Sequence, residues 1–470
     1  MATLLSDERQ DEVGILKAST RSRSKTSRAN IWRLLLAAAF IHIATTIAIF
    51  VAGRYLLLPQ FFDLDGVASS FAPDSRLYMT EARLLVEELK QGRFGAWLAA
   101  PYPLHAKLYS LSFAALSWFF GYTILSAELL NLVCYLSIIV LVYRLGVDTF
   151  DARAGLFAAG VVALWPSYLL HSTQLLKDQF FIIAMLALVY AGVRLLSVHL
   201  TLPAGFRAGV AGGVAVVAIW LIRREMWQLA FASVVILALL VVACSLYEKR
   251  LRAGTAAGTA VLVLALCIPF AVRPYRNPNP DSPAGKAIQA KPETPECQRR
   301  LALAQLEGGH DRGFRSLRGR IVRSRVAATC APSGSNIDAD LQLNRDRDIA
   351  LYLPRAFAIG MFAPFPGMWF STGELVGLKG RMLSGGEMLV TYLIELAALL
   401  GLWFGRGRLT TWMLTLSVAV GITALGLAMP NIGTLYRLRY AFWMMLVVLA
   451  AGGVSQLLSA RTHKGGTAGD

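Results

Sequence analysis

The feature that most constrains this chain is a succession of apolar segments, each long enough to cross a membrane as an α-helix. A spanning helix needs about 20 mostly apolar residues. The ten segments that qualify are 31–53, 123–144, 154–171, 178–197, 207–222, 226–247, 256–272, 387–404, 409–428 and 440–459. Mean hydropathy is +0.53 and 56% of residues are hydrophobic. A water-soluble protein of this composition would have too few polar residues to cover its surface. We therefore predict an all-α polytopic membrane protein.

Two further apolar segments, 106–121 and 350–370, are ambiguous. The first is short, and the second contains three prolines, which interrupt helices. Cytoplasmic loops usually carry the excess of Lys and Arg. If neither segment spans, the short cytoplasmic loops hold Arg144, Arg153, Arg194, Arg207, Lys249, Arg250 and Arg252. The charge bias thus favours about ten spans, within a range of ten to twelve, with both termini in the cytoplasm.

This topology divides the chain into five parts. They are a basic cytoplasmic tail (1–30), an N-terminal transmembrane module (31–272), an external soluble insert (273–349), a C-terminal transmembrane module (350–459) and a cytoplasmic tail (460–470). The N-terminal module carries a long external loop, 54–122, with juxtamembrane helices. One of these, Ser75 to Lys90, is amphipathic, with Glu81 and two other glutamates mostly off its apolar face. We expect it to lie on the membrane surface.

The net charge of +17 does not indicate a nucleic-acid partner. Many basic residues flank the apolar segments, as membrane topology requires, and we find no soluble basic module with interleaved aromatic residues. We find no cysteine–histidine spacing that suggests a metal site, and we predict neither metal nor cofactor. Cys297 and Cys330 share the insert, where both a disulfide and two free thiols are compatible with the sequence.

Charged residues of both signs recur in the connections predicted to face outward. Between the third and fourth spans lie Lys177 and Asp178, and the next outward turn is Arg223-Arg224-Glu225. The turn before the last span contains Tyr436, Arg437 and Arg439, and the first external loop contributes Asp65 and Asp74. Arginine suits phosphate binding, and an aspartate can act as a general base. Simpler roles also fit, namely helix capping by Asp74, an interfacial Lys177–Asp178 ion pair and snorkelling arginines.

The order of several short motifs resembles the C-type membrane glycosyltransferases. An external loop with Pro73-Asp74-Ser-Arg-Leu-Tyr78 is followed by Pro101-Tyr-Pro103-Leu104 and Lys107-Leu-Tyr109. Asn131 follows in the next helix. After a basic turn come Leu164-Trp-Pro166-Ser-Tyr168, Lys177-Asp178 and Arg437-Leu-Arg439-Tyr440. The likeness covers roughly 31–272 and 429–459 and is greatest to the family-39-like enzymes that use polyprenyl-phosphate sugars.

The resemblance implies a GT-C fold with a catalytic acid in the first external loop, where Asp74 is the matching residue. Many relatives have two adjacent acidic residues where this chain has Asp74-Ser75. The donor phosphate would be bound by basic residues at the outer face. The candidates are Lys177, Arg223, Arg224, Arg437 and Arg439, with Asp65, Asp178, Glu225 and Tyr436 in support.

The resemblance therefore implies an inverting, metal-independent glycosyltransferase of the bacterial inner membrane. It would move a sugar from a polyprenyl phosphate to a glycan or lipid acceptor at the periplasmic face, in envelope polysaccharide or glycolipid synthesis. Two neighbouring hypotheses stay open, a polysaccharide polymerase or ligase with a lipid pyrophosphate donor, and a transporter of lipid-linked oligosaccharides. A non-catalytic membrane subunit is the remaining alternative.

Overall fold

The computed structural model describes residues 29–68, 70–197, 200–271, 297, 299–300, 317–330, 335–370 and 377–465. Most of the predicted N-terminal tail, most of the insert 273–349 and the last five residues lie outside these ranges. In the described part of the chain about 81% of the residues are helical and no β-strand forms. The predicted all-α class is confirmed.

Seventeen helices account for this architecture in the described ranges. In chain order they are α1 Ala29–Arg54, α2 Asp74–Lys90, α3 Phe94–Ala99, α4 Leu104–Phe120, α5 Ile124–Thr149, α6 Ala152–Ala163, α7 Pro166–Ser172, α8 Asp178–Leu195, α9 Leu202–Ile222, α10 Trp227–Glu248, α11 Ala253–Ala265, α12 Ile268–Ala271, α13 Leu317–Thr329, α14 Asp346–Phe362, α15 Gly377–Gly405, α16 Leu409–Ala428 and α17 Ile432–Gly465. Short 3₁₀ turns at Arg224–Met226 and Pro366–Met368 precede α10 and α15.

Eight of the described helices are long and apolar enough to cross a membrane, and α6 with α7 makes a ninth if the bent pair is one span. The protein is a polytopic membrane protein, but ten spans is too high a count for these residues. The difference lies at the predicted span 256–272. There α11 has only 13 residues, and the chain turns after Ala265 before the four-residue α12. Apolar composition alone did not show where this helix ends.

Proline explains the bend of 66° between α6 and α7. Pro166 begins α7, a position where its missing N–H is not needed. The break leaves carbonyls of the last turn of α6 without a helical partner. One of them, Ala163 O, accepts a hydrogen bond from the Tyr135 hydroxyl of α5. In apolar surroundings no water is present to bond a free carbonyl, so a side chain of the protein must do so.

The two ambiguous segments are helices that do not qualify as spans. The first is α4, which packs against α2 in the first external loop. The second begins with α14, which runs antiparallel to α16, placing Ala356 beside Gly426 and Gly360 beside Ile422. This helix ends at Phe362, just before Pro364. The helix therefore ends before Pro364 as predicted, whereas Pro354 lies inside α14 without ending it.

The alternating helices define two ends of the bundle. We call one of them the Asp178 end. Helices α5, α8, α10 and α17 begin there, and helices α1, α7 and α9 finish there. At the other, α5, α8 and α10 finish and α6, α9, α11 and α16 begin, and we call it the Arg194 end. The described N-terminal start, Ala29, and the end of α17 both lie at the Arg194 end.

Helices α15 and α17 approach so closely that one glycine has no room for a side chain. A Cβ on Gly401 would lie 1.9 Å from the carbonyl oxygen of Leu449. Small residues permit this backbone contact in membrane bundles. The replacement Gly401→Ala is therefore expected to destabilise the protein by about 1–3 kcal/mol through overpacking, measured as a lower Tm in detergent.

Gly386 on the same helix provides the matched control, because a Cβ there would meet no atom within 4 Å. Alanine is a better helix former than glycine by about 1 kcal/mol. The Gly386→Ala variant should therefore keep or slightly raise the Tm. Equal Tm values for the two alanine variants would contradict the packing described for α15 and α17.

Candidate functional site

Two arginines from distant parts of the chain meet Asp178 at the Asp178 end. Asp178 is the first residue of α8, where the helix dipole favours a carboxylate. Its Oδ1 pairs with Arg223, and its Oδ2 lies 3.6 Å from Nη1 of Arg437. Asp178 and Arg223 are both buried. Buried charges need partners of opposite sign, and here one carboxylate serves two guanidinium groups.

Arg437 also contacts Asp74, which is 363 residues away in sequence. Its Nη2 donates to Asp74 Oδ2 over 3.4 Å. The side chain of Asp74 is 46% exposed, whereas that of Arg437 is 13% exposed. Asp74 is the first residue of α2 and its side chain makes no capping hydrogen bond, so the capping role is not observed. Arg437 thus joins an accessible carboxylate to the buried pair.

Local sequence explains how the two arginines reach Asp178. Asn431 precedes α17, and its Oδ1 accepts a hydrogen bond from the backbone N–H of Thr434 at 3.0 Å. This is a typical N-cap, and it fixes the start of the helix that carries Arg437. Helix α9 ends at Ile222, and Arg223 leaves the helical conformation with φ −142° and ψ 76°. The backbone at Arg223 therefore turns away from the direction of α9, and its side chain pairs with Asp178.

Lys177 completes the cluster. Its Nζ lies 3.8 Å from Oε1 of Glu225, on the turn that follows Arg223. Burial lowers the pKa of Lys177, and the nearby Arg223 guanidinium lowers it further. We refer to Asp74, Lys177, Asp178, Arg223 and Arg437 as the ionic cluster. Four separate segments of the chain supply it, and the sequence predicted every member.

Side chains hold the short non-helical segment that presents Lys177. Asn131 Nδ2 donates to Thr173 O at 3.0 Å, and the Tyr109 hydroxyl accepts from Leu176 N at 3.1 Å. Ser75 Oγ, next to Asp74, donates to Leu175 O at 3.2 Å. The connection between α7 and α8 is therefore fixed in the interior rather than free at the surface. Asn131 and Tyr109 were prominent in the sequence but carried no predicted role.

A polar network inside the spans supports the same connection. His42 Nδ1 lies 2.8 Å from Glu128 Oε1, and its Nε2 lies 3.1 Å from Ser172 Oγ. The Thr46 hydroxyl donates to the other carboxylate oxygen of Glu128 at 2.7 Å. Helices α1 and α5 are thereby joined to the end of α7. Because polar groups away from water must pair internally, this network explains why His42 is buried.

Within the described ranges, the side chains of Arg439 and Tyr436 do not contact the ionic cluster. Both were predicted site residues, and their side chains bind other parts of the bundle. Arg439 is 5% exposed, and its Nη1 donates to the carbonyl oxygens of Gly360, Met361 and Ala363. These carbonyls end α14, where the prolines prevent further helical pairing. The Tyr436 hydroxyl donates to Glu387 of α15. We therefore assign both residues to helix packing and leave Arg439 out of the phosphate site.

Arg224 and Asp65 also lie apart from the ionic cluster. The guanidinium of Arg224 lies over the Trp220 ring, 5.0 Å from its centroid. Asp65 pairs with Arg83 at 3.2 Å on the first external loop. Neither has a contact with Asp74 or Asp178 among the interactions of the described residues. Sequence adjacency placed them in the predicted site, but their side chains point elsewhere.

The amphipathic helix is confirmed as Asp74–Lys90, but Glu81 was placed on the wrong face. It is 1% exposed, because α4 packs against this helix. Burial raises the pKa of Glu81 to about 7, and the positive charge of Lys177 opposes the shift. A buried carboxyl near the middle of a polar helix gives little signal in one sequence.

This raised pKa predicts a pH dependence of folding. The ordinary value is 4.5, so between pH 4.5 and about 7 the folded protein keeps a proton that the unfolded chain releases. Stability from this group is therefore present at low pH and is lost as pH rises through about 7. The groups around it, Lys177, Tyr102 and His105, stay in place in a Glu81→Gln variant.

We expect the Tm of the wild type to fall relative to that of Glu81→Gln between pH 5 and pH 8. Glu87→Gln, an exposed change on the same helix, is the control and should follow the wild type. Parallel Tm curves for the wild type and Glu81→Gln would show that Glu81 titrates normally.

Within the described residues, no group of three or more His, Cys, Asp or Glu side chains is arranged to hold a metal ion. The cluster instead combines three cations with two carboxylates, one of them accessible. A scan against models of known protein families, a search of curated proteins and a search of solved structures each yield no match to this chain.

Proposed function

We propose that the protein is a membrane glycosyltransferase of the GT-C type that moves a sugar from a polyprenyl phosphate to an acceptor hydroxyl. The observation that carries the proposal is the position of Arg437 between the accessible Asp74 and the buried Asp178. This arrangement supplies a carboxylate for proton removal beside fixed cations for a phosphate. Both elements come from segments that are far apart in sequence.

The reaction can be assigned to these groups. Asp74 takes the proton of the acceptor hydroxyl, and the oxygen attacks the anomeric carbon on the side opposite the phosphate. The bond between that carbon and the phosphate oxygen breaks with inversion, and the lipid phosphate leaves with the bonding electrons. Arg437 and Lys177 stabilise the negative charge that develops on it. Asp178 and Arg223 keep Arg437 in position.

The free protein offers a way to time the proton transfer. Arg437 Nη2 is bonded to Asp74 before substrate arrives. The donor phosphate is a diester with one negative charge, and its two free oxygens can form paired hydrogen bonds with arginine. Donor binding would draw Arg437 away from Asp74 and release the carboxylate as a base. The contact is long, 3.4 Å, and Asp74 is 46% exposed, so breaking it costs little.

Two observations support a periplasmic orientation for the Asp178 end. Cys297 and Cys330 form a disulfide, which persists in oxidising compartments. Cys330 follows α13, whose Arg325 donates to Leu427 O near the start of α17, so this disulfide belongs to the same end as the cluster. The basic residues Arg153, Arg194 and Arg207 lie at the opposite end, as expected for cytoplasmic loops of a bacterial inner membrane.

The test is transfer by the purified full-length protein reconstituted into sealed liposomes. Radiolabelled undecaprenyl-phosphate sugars are supplied with a lipid extract that contains candidate acceptors. We expect the label to pass to an acceptor with release of sugar-free undecaprenyl phosphate. Movement of intact labelled donor across the bilayer without bond cleavage would indicate a transporter instead, and would overturn the proposal.

A further inference from the structure

A second polar group lies beside the ionic cluster on the buried face of α2. Asp74, Tyr78 and Glu81 follow the i, i+4, i+7 spacing that places residues on one helix face. At 1.5 Å per residue, Asp74 and Glu81 are about 10 Å apart along the axis. Asp74 faces the ionic cluster and is partly accessible, whereas Glu81 is almost fully enclosed.

His105 of α4 meets this face from the other side. Its ring lies 4.4 Å from the Tyr78 ring in an edge-to-face arrangement, and the residue is 3% exposed. Among the described residues, neither ring nitrogen of His105 has a hydrogen-bond partner, and neither has Glu81 Oε2. Buried polar atoms are nearly always hydrogen-bonded, because an unpaired buried polar group loses its contacts with water and gains none in return. Three unpaired polar atoms on adjoining helices therefore require an explanation.

Their surroundings show where these atoms lie relative to the ionic cluster. Lys177 influences the ionisation of both Glu81 and His105, and Arg223 influences that of His105. Tyr102, at the start of α4, is influenced by Glu81 in turn. Tyr78 joins His105 to the face of α2 that carries Asp74 and Glu81, so the unpaired atoms lie next to the ionic cluster along this helix. A ligand whose phosphate contacts Lys177 would bring its next chemical group to Glu81 and His105.

The chemistry of the two groups favours hydroxyls over charges. Burial raises the pKa of Glu81 to about 7, and burial together with the nearby cations lowers the pKa of His105. A protonated carboxyl and a neutral imidazole each offer one donor and at least one acceptor. Sugar hydroxyls likewise donate and accept. The pair therefore complements a neutral polyhydroxylated ring rather than a second phosphate.

We propose that Glu81 and His105 form a hydroxyl-binding subsite that holds the sugar ring of the lipid-phosphate donor. This inference rests on the proposed function, because it assumes a phosphate beside Lys177. Glu81 and His105 determine which sugar is accepted, whereas the ionic cluster recognises the phosphate common to all such donors. Tyr78 lies between Asp74 and Glu81 along α2.

The experiment compares lipids with and without a sugar. Full-length protein in nanodiscs is titrated with undecaprenyl phosphate and with the same lipid carrying glucose, galactose, N-acetylglucosamine or arabinose. We expect the wild type to bind one sugar-bearing lipid more tightly than the sugar-free lipid. Glu81→Leu and His105→Leu should each weaken that binding by about tenfold, the effect of one lost hydrogen bond. Binding of undecaprenyl phosphate itself should not change.

Thermal stability separates a ligand site from a structural role. Leucine removes an unpaired polar group, so the ligand-free Leu variants should keep or raise the Tm. Glu81→Gln retains a donor and an acceptor and should keep most of the sugar preference. Glu87→Leu, on the exposed face of α2, is the matched control. A lower Tm with loss of both lipids would assign Glu81 and His105 to packing and end the inference.

The outcomes also separate this inference from the proposed function. Selective binding that depends on Glu81 and His105, without any sugar transfer, would support the subsite but refute the proposed transferase activity. Transfer by Glu81→Leu and His105→Leu with unchanged KM would refute the subsite and leave the transferase. Equal affinity of the wild type for all five lipids would likewise overturn the subsite.

Discussion

Replacing Asp74 by Asn is expected to reduce sugar transfer by about 10²–10⁴-fold, the usual contribution of a general base. Asparagine keeps the shape of the side chain but cannot accept the proton. Folding should be retained, because Asp74 is half exposed and its pair with Arg437 contributes little to stability. The measurement is kcat with saturating donor, together with the Tm of the purified variant.

Asp65→Asn is the matched control for Asp74→Asn. Asp65 lies in the same external loop, is 36% exposed and pairs with Arg83 rather than Arg437. Its replacement should leave kcat within about twofold of the wild type, since surface ion pairs contribute little. If Asp74→Asn transfers sugar at the wild-type rate while Asp65→Asn does not, the base has been assigned to the wrong carboxylate.

Replacing Arg437 by Gln should lower kcat/KM by about 10²–10³-fold, the effect of losing one strong electrostatic contact to a developing charge. Asp178 would keep Arg223 as its partner, so the buried carboxylate would not be left alone. Asp74 would also lose the guanidinium that occupies its carboxylate in the free protein. We therefore expect the loss mainly in donor binding and in phosphate departure, visible as a raised KM with a reduced kcat.

Arg194→Gln tests whether this effect is specific to the Asp178 end. Arg194 is an arginine on a spanning helix that pairs with Asp148 at 3.2 Å, but it lies at the opposite end of the bundle. Its removal should leave KM and kcat unchanged. A similar decrease in both variants would point to a general effect of basic residues on membrane insertion and would remove Arg437 from the phosphate site.

Much of the ionic cluster was predictable because topology collects charges at one face. Lys177, Arg223 and Arg437 follow from the alternation of spans, without knowledge of their contacts. The rotation of each side chain about its helix was not predictable. Arg437 and Arg439 are two residues apart, so their directions differ by roughly 200° on an α-helix. One therefore meets Asp74 and the other caps the end of α14.

The fold was predicted in the same partial way. Hydropathy located the long helices, because a run of about 20 apolar residues forms a membrane-spanning helix in most proteins. It did not locate the end of α11, because the residues that follow Ala265 are also apolar. Nor did periodicity locate Glu81, because α4 covers a face of α2 that the sequence predicted to be polar. The end of α11 and the burial of Glu81 both depend on tertiary packing, which a single sequence does not show.

The dependence of the cluster on α17 has a consequence for biosynthesis. Arg437 belongs to the last spanning helix of the described chain, whereas Asp74 follows the first. A ribosome-bound intermediate that has inserted every earlier helix would still lack the bridging guanidinium. Catalytic competence would therefore arise only when the final helix enters the membrane, so partly synthesised chains could not consume lipid-linked sugar.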